Sequence, residues 1–183
     1  MKKTFKRVVS LVVAAAIIAS GAVSNGTKAS AASSYKAVMY YSDVNWNWDG
    51  GNDGSTDPNK TAVTIKDKKG SATYTVTLKN KKSKNAAAQV FCIDIKDILK
   101  KHKGKVKVSK VSVKCDGKTV KGMKAVSSGA LESDKDPNKF RISIYNQVGS
   151  SKLGDKTSSY PKSYGKKFKF KKTISVTFTL TIK

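Results

Sequence analysis

The sequence predicts an all-β protein, folded as an antiparallel two-sheet β-sandwich with at most one short connector helix. Three observations carry that expectation. Apolar and polar residues alternate repeatedly along the 183-residue chain, the signature of strands with one buried face. The alternating runs are short and divided by Gly, Asn, Asp and Lys turns. Only one stretch has helical spacing. A sandwich of such strands leaves both outer faces wet, in keeping with the Thr and Lys positions.

Residues 1–31 read as an export signal that precedes a single domain over residues 32–183. Lys2, Lys3, Lys6 and Arg7 form a basic start, Val8 to Ala19 is apolar apart from Ser10, and Ala29-Ser30-Ala31 has the small-x-small cleavage pattern. The apolar run falls well short of the roughly 20 residues that span a bilayer. The mature protein is therefore expected to be secreted, free of an integral membrane segment, and associated with the cell wall.

Within the domain, Val63 with Ile65 and Tyr74 with Val76 and Leu78 alternate with polar neighbours. Val90-Phe91-Cys92-Ile93 is a further apolar strand pattern. The helical candidate is Ile95 to His102, ended by Gly104. From Val106 to Cys115 the apolar phase slips once, which predicts a bulge near Ser109-Lys110. Ile142 with Ile144, and Phe168 with Phe170 between lysines, continue the strand pattern, and Ser151 to Gly165 is the longest irregular stretch. The last strand is the clearest: Ile174, Val176, Phe178, Leu180 and Ile182 share one face, opposite Thr173, Ser175, Thr177, Thr179 and Thr181.

The formal charge is +25, from 37 basic and 12 acidic side chains, and residues 1–31 hold five of the former and none of the latter, which leaves about +20 for the domain. Arg141 is the only arginine beyond the signal. Lysine is a hydrated point charge without a planar fork, so no specific reading of nucleic acid is expected. A polysaccharide or cell-wall polymer is the expected partner of a monomer. The densest lysine run, Lys96 to Lys110, is the candidate electrostatic patch.

Catalysis finds little support. Glu132 is the only glutamate, whereas glycoside hydrolysis ordinarily needs two carboxylates flanking a cleft. His102 lies among lysines with no orienting carboxylate beside it in sequence. Cys92 and Cys115 are either disulfide-bonded, as an exporting compartment permits, or two separately buried thiols.

Three segments are candidate sites. In Met39-Tyr40-Tyr41-Ser42-Asp43-Val44-Asn45-Trp46-Asn47-Trp48, an extended backbone places Trp46 and Trp48 on one face roughly 6.6 Å apart. That makes a platform for sugar rings, with Tyr41 and Asp43 beside it; the alternative is one Trp in the core and one over a loop. Asp49, Asn52, Asp53 and Asp57 surround glycines and offer the hard oxygens a structural calcium ion takes, or else form a solvated turn. Arg141, Tyr145 and Asn146 close a strand with a mixture suited to hydroxyl recognition.

The ordered pieces Asp43-Val44-Asn45-Trp46, Tyr74-Thr75-Val76, Val90-Phe91-Cys92-Ile93-Asp94-Ile95, Val111-Ser112-Val113-Lys114-Cys115-Asp116-Gly117-Lys118 and Arg141-Ile142-Ser143-Ile144-Tyr145-Asn146 form a pattern. It resembles the β-sandwich carbohydrate-binding-type modules of secreted and cell-surface proteins of clostridia and their relatives. That resemblance implies a jelly-roll-like fold, a structural calcium and a noncatalytic role in binding glycans. The expected function is a secreted carbohydrate or cell-wall glycan binding module. The alternative is a cationic structural or adhesive surface protein held to anionic wall polymers by charge.

Overall fold

The computed structural model describes residues 33–49, 62–79, 85–132 and 136–183. The expected export signal at 1–31 and the calcium candidates Asn52, Asp53 and Asp57 lie outside the described residues. Two antiparallel sheets face each other. The first holds six strands: β1 (Ser34–Asp43), β2 (Trp48–Asp49), β3 (Val63–Lys66), β5 (Ala88–Ile95), β8 (Ser127–Gly129) and β9 (Phe140–Asn146), in the order β2-β1-β5-β9-β8, with β3 also on β1. The second holds four: β4 (Gly70–Lys79), β6 (Val106–Cys115), β7 (Lys118–Thr119) and β10 (Thr173–Ile182), in the order β4-β10-β6-β7. The expected all-β two-sheet sandwich is therefore present. Among the described residues, a single short α-helix, α1 (Ile98–His102), follows β5, inside the span with helical spacing.

Strand β10 organises the second sheet. Its Ile174, Val176, Phe178, Leu180 and Ile182 are all buried, while the residues between them are half-buried. It pairs along its whole length with β4, from Thr173 opposite Lys79 to Ile182 opposite Gly70. On its other side the register with β6 shifts between Thr177 and Thr179, and Lys110 has φ 51°. The phase slip in the sequence is this bulge. It returns Val113 to the core face after Val106.

The core between the sheets is aromatic at one end. Tyr41 lies edge-on to Phe91 and Phe170, with centroids 5.6 and 5.1 Å apart. Phe168 lies 5.2 Å from both Phe91 and Tyr164. Phe168 and Phe170 are fully buried as their alternation implies, yet no strand forms there. Residues Lys162–Phe168 form a 3-10 turn instead, whose rings plug the end of the sandwich. Gly165 permits this approach, because a Cβ there would collide with the Ala88 carbonyl oxygen and the Tyr145 ring.

The expectation of two wet outer faces holds for one sheet only. On the second sheet, Thr73, Thr75 and Thr77 of β4 are exposed. On the first, every residue of β9 is buried, as are seven of the eight in β5. The irregular stretch after β9 is the reason. Its 3-10 turns Ser151–Leu153 and Lys156–Ser159 fold back over the sheet, burying Asp155 and Thr157 against Ser143. Among the described residues, no helix is long and apolar enough to cross a membrane.

Candidate functional site

The part of that outer face left uncovered by the described residues is a trough across β2, β1, β5 and β9. Successive outward positions of β1, Ser34, Lys36, Val38 and Tyr40, line one depression of ≈ 530 Å³ together with Asp94, Lys96, Asp97, Asp136 and Lys139. A second, of ≈ 420 Å³, is lined by Tyr40, Trp48, Val90, Glu132, Lys139, Arg141, Asn146 and Val148. Tyr40 and Lys139 belong to both.

The trough floor is an ion network set by strand register. Asp94 of β5 stands opposite Arg141 of β9, so their side chains meet on one face. Arg141 donates through Nε and Nη2 to the two Asp94 oxygens, each at 2.7 Å, and through Nη1 to Glu132 Oε1. Lys139 donates to Glu132 Oε2 at 2.6 Å and lies 3.4 Å from Asp94 Oδ2. Burial opposes the charge on Arg141, but its bonds to Asp94 outweigh that and raise its pKa. Burial likewise pushes Glu132 up, and Lys139 and Arg141 together bring it below the usual carboxylate range. The Tyr40 ring lies 6.0 Å from the Arg141 guanidinium carbon.

Beside it lies a second, uncharged-to-acidic network. Asp155 Oδ2 accepts from Ser143 at 2.9 Å and from Asn146 Nδ2 at 3.1 Å, and its Oδ1 accepts from the Thr157 hydroxyl at 2.6 Å and amide at 3.1 Å. Asn146 Nδ2 is thereby engaged, and Asn146 Oδ1 is left buried with no hydrogen-bond partner among the described residues. A buried amide oxygen without a donor is uncommon in a native fold.

The aromatic segment is arranged differently from the expected strand platform. Trp46 sits in a turn at φ 60° and is 53% exposed, while Trp48 begins β2 and is half-buried. Their centroids are 6.4 Å apart, but the rings are inclined by 37°. The turn is held by Asp43, which accepts from the Asn45 and Asn47 amides at 2.8 and 2.9 Å and from Asn47 Nδ2 at 2.9 Å. Val44, Trp46 and Val148 are the exposed large hydrophobic residues of the described chain; Val148 lines the trough beside Trp48, and Trp46 lies against Trp48.

Several expected site residues turn inward. Tyr41 is fully buried and its hydroxyl donates to the Phe168 carbonyl at 3.1 Å, so it is a core residue and does not face a ligand. Tyr145 is buried against Tyr164 and Phe168, and Asp43 is spent on its own turn. Arg141 and Asn146 do reach the trough, at its floor. Asp49 is buried at the end of β2. Among the described residues, no three His, Cys, Asp or Glu side chains gather as a metal site requires.

Cys92 and Cys115 are free thiols on different sheets. Cys92 Sγ is 3.6 Å from Ser143 Oγ, and Cys115 Sγ is 3.9 Å from the Lys167 carbonyl oxygen. Burial pushes them up to about 12 and about 11, so neither is a ready thiolate at neutral pH.

The structure also supplies His102 with the carboxylate its neighbours in sequence lack. Its Nε2 lies 2.6 Å from Asp67 Oδ1. Asp67 further accepts from Ser33, from Lys101 at 2.9 Å and from Tyr35 at 3.3 Å. Bonds from Ser33, Lys101 and His102 hold the Asp67 carboxyl well below the usual range.

Tyr40, Glu132 and Lys139 are trough residues that sequence reading missed. Tyr35, Ala37, Met39 and Tyr41 do alternate, which marks β1 and puts Tyr40 on the opposite face. No protein-family model, curated protein or solved structure matches the chain.

Proposed function

We propose that the protein is a secreted, noncatalytic glycan-binding module that lays a neutral sugar chain along the trough. The observation that carries this reading is the depression walled by Tyr40 and Trp48, with Arg141, Glu132 and Asn146 among its lining residues. Sugar C–H faces stack on rings such as Trp48 and Tyr40, and the polar side chains beside them suit sugar hydroxyls.

The charge around the trough favours a neutral ligand. Lys36, Lys96, Lys139 and Arg141 line it together with Asp94, Asp97, Asp136 and Glu132. In a chain of +25, acidic side chains are concentrated here, so a polyanion would meet as many carboxylates as cations. The noncatalytic reading rests on Glu132, which is held ionised by Lys139 and Arg141 and so carries no proton to give a leaving group. Calcium held by Asp49, Asn52, Asp53 and Asp57 is part of the proposal, as a brace for the segment from Asp49 to Asp57. Calcium should then raise the thermal midpoint and chelator reverse it; identical melting removes the ion from the reading.

Retention on insoluble polysaccharides in 1 M salt tests the proposal, since the Debye length there is about 3 Å and charge attraction is screened. Wild type should stay bound, and the Trp46→Ala/Trp48→Ala double variant should elute. A wild type that elutes from every neutral polysaccharide, or a double variant retained as well as wild type, overturns it.

A further inference from the structure

The four-stranded sheet ends in a strand, β4, whose outer backbone edge has no partner among the described residues. We infer that β4 is a docking edge for an extended peptide with acidic residues at its ends and apolar residues on one face, added to the sheet as a further strand.

The two long edges of that sheet are built differently. β6 meets the short β7 only at Lys114 and Cys115, and along the rest of its length it is protected. It carries Lys107, Lys110 and Lys114 and is bent by the bulge at Lys110, two devices that keep other strands off an edge. β4 has neither. Its 10 residues run in unbroken register with β10, and Gly70 to Leu78 contain no charged side chain and no proline. The edge strands β2, β3, β7 and β8 are two to four residues long. In an antiparallel pair, alternate residues turn their N–H and C=O groups away from the partner. The free side of β4 is therefore a row of donors and acceptors that an extended chain can meet.

The sandwich is also open beneath this edge. Ala72 stands opposite Leu180 and Tyr74 opposite Phe178, on the face that elsewhere is core, yet Ala72 is exposed and Tyr74 only half-buried. With Leu180 and Ile182 they floor a depression of ≈ 210 Å³. A strand laid beside β4 places every second side chain on this face. An apolar one beside Ala72 fills the depression, and the opposite set continues the hydroxyl row of Thr73, Thr75 and Thr77.

Charge selects the ends of the partner. Lys66, Lys68 and Lys69 rim the depression at one end of β4, and Lys79 closes the other. Asp67 lies between the first two in sequence, but its carboxylate is bonded to Ser33, Lys101 and His102. A second copy of β4 in antiparallel pairing would set lysine beside lysine at both ends, which is unfavourable. Glutamate or aspartate at both ends of the added strand meets a lysine at each.

The probe is a synthetic peptide matched to β4 in length, with glutamates at both ends and threonine alternating with valine between them. Its binding to the full chain is followed by fluorescence anisotropy. Two further versions carry N-methyl groups on one alternate set of residues or on the other. Only one set can face β4, so one version should bind about tenfold or more weakly than the parent and the other should bind as the parent does. No binding of the parent, equal binding by all three peptides, or equal loss in both methylated versions overturns the inference, and none of these readings needs a protein variant. Charge is tested by exchange. A peptide ending in lysines should bind wild type more weakly than the parent does, and should bind Lys66→Glu/Lys68→Glu/Lys69→Glu/Lys79→Glu, altered only at exposed positions, more tightly than it binds wild type. Failure of the exchange overturns the acidic partner. A dimer in sedimentation velocity that persists at saturating peptide would assign the edge to a second copy and overturn the assigned occupant. The trough variant Trp46→Ala/Trp48→Ala should bind the peptide as wild type does, which separates this inference from the glycan reading.

Discussion

The two outer faces of the sandwich begin from the same kind of sequence and end in opposite physical states. On the four-stranded sheet, hydroxyls pair across β4 and β10: Ser71 with Thr181 at 2.7 Å, Thr73 with Thr179 at 3.0 Å and Thr75 with Thr177 at 2.8 Å. Those groups are exposed, and water replaces any bond they lose. On the six-stranded sheet, Asp94, Arg141, Ser143, Asp155 and Thr157 are buried, and each depends on a protein partner. The difference teaches where rigidity comes from. A polar group costs little on a wet face and much on a covered one, so the covered face has a single well-determined arrangement. The trough residues Arg141 and Asn146 stand on the second kind.

The largest expected effect breaks the covered face at its centre. Arg141→Met removes the bidentate partner of Asp94 and one partner of Glu132, and should destabilise the fold by about 3–5 kcal/mol, as when a buried ion pair loses one member. Denaturant unfolding measures it. A loss under 1 kcal/mol would mean that water reaches Asp94 freely and that the two faces do not differ as described.

A smaller break is Asp155→Asn. The carboxylate accepts four hydrogen bonds from Ser143, Asn146 and Thr157, and an amide turns one accepting oxygen into a donor. About 1–3 kcal/mol should be lost, the cost of buried groups left unpaired.

The same contrast explains what the sequence made legible. Strand β10 was plain because its two faces differ in kind, Ile, Val, Phe and Leu against Ser and Thr, and the bulge at Lys110 was plain because it shifts that phase. Strand β9 alternates Arg141 and Ser143 with Ile142 and Ile144, yet both its faces are buried, and a register shift against β5 turns Tyr145 to the core. Nothing local distinguishes a wet serine from one covered by residues 151–159, because the cover comes from a different part of the chain. Asp67 and His102, 35 residues apart, meet for the same reason. Phe168 and Phe170 alternate like a strand although a 3-10 turn carries the first. Burial was legible there, and backbone conformation was not. Of the trough, the sequence singled out Trp48, Arg141 and Asn146. It missed Tyr40, whose outward position depends on recognising β1.

Acid should separate the faces next. Glu132 titrates below its ordinary value in the folded state, so its contribution is fully present above the unfolded value of about 4.3 and is lost as pH falls through the folded value. Urea midpoints measured from pH 7 downward should fall with a steeper acid limb in wild type than in Glu132→Gln. Parallel curves would take Glu132 out of the network's energetics.

The smallest effect is expected on the wet face, and it is the sharpest check on the comparison. Thr75→Val/Thr177→Val removes both hydroxyls of a cross-strand pair while keeping the β-branched shape that suits a strand. The pair is exposed, so in the folded state each hydroxyl exchanges a protein partner for water at little net cost. Stability should change by no more than about 0.5 kcal/mol, and the pH dependence should be that of wild type, because the removed groups do not titrate. Urea unfolding at neutral pH, with the slope as well as the midpoint, decides the matter. A loss comparable to that of Asp155→Asn would show that the hydroxyl ladder is covered in solution, and the two faces would then be alike.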